Sequence, residues 1–177
     1  MLPELNRIAP FYHTYIKLVP ETDLLSGFQV HTENFYSLLN SIPESMYDYR
    51  YAPEKWTIRD TLQHVIDTER VMAYRALNFA RKSPDPLPGF DEDQFAANAK
   101  AYSRKWDDLV HEFKHLRASS LLMFAGFDEE QLESAGIANK KPTYVRGLGY
   151  TILGHVTHHA GILQVRYLNK DYKPVAG

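Results

Sequence analysis

The chain has 177 residues, of which 44% are hydrophobic, 13% aromatic and 24% charged, the balance of an ordinary globular protein and not of a disordered one. That length suits a single domain, 1–177, with a core large enough to need no disulfide staples. Twenty Lys and Arg against 22 Asp and Glu leave a net charge of -2, which disfavours a nucleic-acid partner, and the absence of cysteine excludes disulfides, cysteine zinc sites and a protein thiol nucleophile.

Residues 1–20 carry three prolines and no sustained period, so they read as an arm laid across the domain, with Phe11, Tyr12 and Tyr15 as packing anchors. No secretory pattern stands in this stretch, and no apolar run approaches the roughly 20 residues that a bilayer span needs. The expectation is a cytoplasmic protein with no membrane contact. From Glu21 to Ser41, apolar residues recur at helical spacing between Pro20 and Pro43, which predicts the first long helix. The tyrosine-rich stretch that follows, up to Trp56, reads as a turn-rich connection. At Thr57 a capping residue precedes Asp60 by three, and Ile58, Leu62, Val65, Met72, Ala76 and Phe79 continue a helical stripe to about Arg81.

Three prolines and a glycine make Ser83 to Phe90 a loop, and Asp91 to Lys100 reads as a short helix. A third long helix is expected from Arg104 to Phe124, then a short helical turn, a loop (SAGIANKKPTY), and a fourth long helix from about Val145 to Asn169. Four amphipathic helices with little sign of strands point to an all-α four-helix bundle with long connections.

Eight histidines are present. His13, His31, His111 and His115 read as packing or surface residues. The pair His111 and His115 has i, i+4 spacing, yet Leu109, Phe113 and Leu116 place the buried side of that helix elsewhere, so the spacing alone is weak evidence. His155 and His159 differ, because a wheel at 100° per residue sets them among Leu148, Ile152, Ile162 and Arg166, on an apolar stripe. Two inward imidazoles without partners would cost roughly 1–3 kcal/mol each. Either a metal or a pair of carboxylates would satisfy them. His64 lies at the flank of the second helix's stripe and reaches either the interior or its rim, with Asp60 and Asp67 as candidate acceptors for its second ring N–H.

Val156 stands where the glutamate of an HExxH peptidase motif would be. Gly147, Gly149 and Gly154 sit near dinucleotide-fingerprint spacing but lack a preceding strand, and read better as places of close helix approach. Glu69 and Arg70 read as an ordinary structural ion pair.

Three stretches carry a family resemblance: YAPEKWTIRDTLQHVIDTERVMAYRAL (51–77), PLPGFDEDQF (86–95) and YVRGLGYTILGHVTHHAGILQVRYL (144–168). On these the chain resembles the DinB/YfiT-like family of metal-binding four-helix bundles. The resemblance implies that His64, matching a single histidine early in the second helix, and His155 and His159, matching an HxxxH pair in the last, bind a divalent metal, zinc or nickel. His158, inside the pair, matches no ligand of that pattern. The resemblance implies a metal-dependent enzyme acting on a small molecule, either a thiol-dependent transferase or isomerase using a low-molecular-weight thiol, or a hydrolase.

On that reading Asp60, Asp67 and His158 are candidate proton carriers. The rival readings are a stress-response or binding module whose metal is structural or absent, and a pure interaction scaffold. Twelve tyrosines make homodimerisation through an aromatic helix face a further expectation.

Overall fold

The computed structural model describes residues 1–169. The last eight residues of the expected domain, 170–177, lie outside them. The arm is ordered as short helical turns, among them α1 (His13–Ile16), and it buries Ile8, Ile16 and Val19. Helix α2 (Leu24–Ser41) begins where the Asp23 carboxylate accepts a hydrogen bond from the Ser26 amide at 2.7 Å. Helix α3 (Ile58–Ala80) starts in the expected capping box: Thr57 accepts from the Asp60 amide, while the Asp60 carboxylate accepts from the Thr57 amide.

After the proline loop come α4 (Glu92–Ala99), α5 (Trp106–Ala125) and the short α6 (Glu129–Glu133). The last long helix, α7 (Val145–Ile162), continues as a π-helical stretch, Leu163–Leu168. The four long helices α2, α3, α5 and α7 form the bundle, with α7 packed against α1, α2 and α3, and with α5 against α2 and α3. Among the described residues, no helix is long and apolar enough to cross a membrane.

One expected loop is a hairpin instead. Strand β1 (Ala135–Ala138) pairs antiparallel with β2 (Lys141–Tyr144), and the turn between them places both Asn139 and Lys140 at positive φ, 51° and 59°. Positive φ at both central residues is the type I′ geometry that matches strand twist, and Asn favours it, whereas Lys at the second position conceals the signal that glycine usually provides. Leu87 bridges to this hairpin, its amide donating to the Ile137 carbonyl at 2.9 Å and its carbonyl accepting from the Asn139 amide at 3.0 Å. The proline loop is thereby fixed beside α3.

The arm lies tight against α7 at Gly154, where a Cβ would stand 2.0 Å from the Tyr15 carbonyl oxygen. Close approach is the expected role of this glycine, although arm backbone approaches here, not a bundle helix. Gly154→Ala must therefore push the arm away, and we expect it to cost about 1–3 kcal/mol in urea unfolding. Gly161→Ala serves as the control, because a Cβ there meets nothing within 4 Å. That change should be neutral or stabilising by up to about 1 kcal/mol. Equal effects at both positions would remove the steric account.

Candidate metal centre

Helix α3 presents His64 from its second turn, and α7 presents His155 and His159 one turn apart. All three are buried. The His64 Nε2 stands 3.1 Å from the His155 Nε2, which stands 3.2 Å from the His159 Nε2. A ring nitrogen offers one in-plane direction, holding either a proton or a lone pair, so the His155 Nε2 cannot align well with both neighbours. Three nitrogens of a tetrahedral site with bonds of 2.0–2.1 Å would lie about 3.3 Å apart. The side chains therefore fit a divalent ion of the borderline-soft type that imidazole prefers.

Burial sets the protonation state. It pushes His64 down to about 4, helped by the nearby charge of His158. His159 is held down to about 3 by burial and then by His64 and His158, and His155 lies well below the ordinary value through burial and the surrounding rings. At neutral pH all three rings are uncharged, with lone pairs free for a cation.

The surroundings are aromatic. The Trp56 ring lies 4.6 Å from that of His64, centroid to centroid, and the Tyr15 ring packs edge-on against His155 at 5.4 Å and His158 at 5.3 Å. Trp56 is held in turn from the last helical turn, because the Tyr167 hydroxyl donates to its carbonyl at 2.7 Å. Burial, and then the charge of Glu92, raise the Tyr15 pKa, so its phenol keeps its proton at neutral pH. The three histidines open onto a cavity of about 430 Å³, within the usual range for small-molecule pockets. Its wall includes Tyr15, Trp56, His158, Arg75 and Glu92.

Several expectations need correction. The Asp60 carboxylate is engaged in the Thr57 capping box, and Asp67 accepts from the Gln63 amide at 2.9 Å, so neither carboxylate bonds His64 or lines the cavity. Of the three expected proton carriers only His158 does. Glu69 does not pair with Arg70: its partner is Arg117 of α5 at 2.8 Å, both side chains being 2% exposed, while Arg70 reaches Glu112 at 2.6 Å. Tyr15, read as a packing residue, stands at the histidines.

The other histidines follow expectation. His111 and His115 are exposed. His31 bonds Thr157 and Glu21, and the His13 ring lies 2.9 Å from the Leu5 and Ile8 carbonyls.

The fold is similar to that of YfiT from Bacillus subtilis, with a TM-score of 0.71, 11% sequence identity, and coverage of 85% of this chain and 87% of that one. YfiT is described as a probable metal-dependent hydrolase with an unusual four-helix bundle topology. At that identity the likeness is one of fold. No curated protein matches the sequence. Residues 28–163, well over half of the chain and including every histidine of the centre, match the DinB superfamily model. The chain belongs to the DinB superfamily.

Proposed function

We propose that the protein is a metal-dependent enzyme in which His64, His155 and His159 hold one divalent ion, zinc or nickel, within a single helical domain. The observation that carries this reading is the close approach of three neutral, buried imidazoles that line one cavity. Such an ion, when bound, is a Lewis acid that makes a nucleophile available at neutral pH from water or from a thiol. The reaction we infer is hydrolysis of a small molecule, or its transfer to or isomerisation by a low-molecular-weight thiol. An external thiol fits a chain without cysteine, and the description of YfiT as a probable hydrolase supports the first alternative.

The chain's own groups prepare the site. Burial keeps the imidazoles unprotonated, and the rings of Tyr15 and Trp56 shield them from bulk water. Tyr15 keeps a phenolic proton to donate, and His158 brings a further titratable nitrogen to the cavity. A structural metal would call for a fourth protein ligand. Among the described residues the group able to hold an ion consists of these three alone, which favours catalysis over a purely structural role.

The test is metal analysis of protein prepared without a histidine tag. Wild type should carry about one zinc or nickel ion per chain, and His155→Ala should lose it. The same substoichiometric content in both proteins would sink the proposal.

A further inference from the structure

Four arginines of the described chain are buried: Arg59, Arg75, Arg117 and Arg146. Three have carboxylates. Arg59 pairs with Asp48, Arg117 with Glu69, and Arg146 with Glu129 and Glu133. Arg75, only 2% exposed, pairs with no carboxylate of the described residues. Its short hydrogen bond runs from Nη2 to the Pro88 carbonyl at 2.8 Å, and its Nη1 has only the Tyr12 hydroxyl at 3.4 Å and the Met72 sulfur at 3.7 Å. A buried guanidinium facing neutral acceptors is costly, and an anion would offset that cost.

The position of Arg75 says where such an anion would come from. On α3, His64, Thr68, Met72 and Arg75 fall within about 80° of one another at 100° per residue, and all four line the cavity that the histidines open onto. Arg75 lies roughly 16 Å beyond His64 along the helix axis. Its side chain leans towards the helix N-terminus, which is the His64 end. The Pro88 bond fixes one side of the fork, and the Phe90 ring lies 5.9 Å away. The cavity lining also includes Phe11, Tyr12, Tyr15 and Trp56.

We propose that Arg75 anchors the carboxylate of the substrate, so that the molecule acted on at the histidine centre is a small acid: an apolar or aromatic body with its reacting group at one end and a single carboxylate at the other. A planar carboxylate matches the guanidinium fork. One negative charge suits a cavity that Glu92 also lines. The substrate class rests on the metal-enzyme reading; the anion site itself does not.

The probes are 4-phenylbutanoate and its uncharged amide, titrated calorimetrically into wild type, Arg75→Met and Arg75→Lys, each with and without metal. The acid should bind wild type roughly 10–100-fold more tightly than the amide. Arg75→Met should erase that preference while keeping the wild-type metal content, and Arg75→Lys should keep part of it. The preference should persist without metal, which separates Arg75 from direct coordination of the acid. A chain that takes up no metal yet discriminates acid from amide through Arg75 would lose the metal-enzyme reading and keep the anion site. Absence of acid binding to wild type, equal binding of acid and amide, a preference that survives Arg75→Met, or one that vanishes with the metal would overturn the proposal. If circular dichroism shows Arg75→Met unfolded, the wild-type ratio and Arg75→Lys decide the matter.

Discussion

Saturating zinc is expected to raise the thermal midpoint of the metal-free protein by roughly 8–16 °C. A ligand at a thousand times its dissociation constant stabilises the folded state by about 4 kcal/mol, and each kcal/mol moves the midpoint of a chain of this size by about 2–4 °C. His155→Ala should show no such response. Acid should act in the opposite direction on the metal-free protein. The three imidazoles are neutral when folded, whereas in the unfolded chain they titrate near pH 6.5, so below that pH the unfolded state binds more protons. Their contribution is complete above pH 6.5 and is lost as pH falls towards the folded values near 4 and 3. The limiting slope is about 1.4 kcal/mol per pH unit for each ring. Thermal scans at pH 7.5 and 5.0 check this, and a flat profile would mean that the rings are not held neutral inside the fold.

The second large effect belongs to the Glu69 and Arg117 pair. Arg117 also lies over two rings, 5.4 Å from Phe28 and 5.3 Å from Phe113. Their 2.8 Å contact is a fully buried ion pair, with the hydroxyls of Thr68 and Ser120 buried as well. Burial raises the Glu69 pKa and lowers that of Arg117, each opposed by the other's charge. Arg117→Met would strand a buried carboxylate, and we expect a loss of about 3–5 kcal/mol in denaturant unfolding. Adding Glu69→Met should recover most of that loss, because two apolar side chains of similar size need no charge compensation. An Arg117→Met protein within 1 kcal/mol of wild type would contradict this account.

What sequence reasoning reached, and what it missed, follows from the range of each interaction. The four long helices and the Thr57 capping box are local patterns, and they lie where periodicity and spacing predict. The inward direction of His155 and His159 is likewise local. Adjacency in the chain suggests Arg70 as the partner of Glu69, but successive helix positions diverge by about 100°, and the true partner comes from α5. Asp60 and Asp67 stand near His64 in sequence, which suggests them as its acceptors, yet a cap and a Gln63 contact engage them first. Tyr15 sits in an arm without a period, so no local signal relates it to α7. Arg75 could have been recognised, since it shares a wheel face with His64. What the sequence could not reveal is that Arg75 has no carboxylate partner among the described residues.

The order of the three proposed ligands along the chain also matters during synthesis. His64 and His155 are separated by 91 positions, so a ribosome adding about 5–20 residues per second delivers the second ligand some 5–18 s after the first. Tyr167, which secures Trp56 beside His64, emerges later still. Over those 91 positions a nascent polypeptide therefore carries only one of the three imidazoles of the centre, too weak a donor set to capture an ion. If these residues hold the proposed ion, its loading would wait until translation has passed through the last helix.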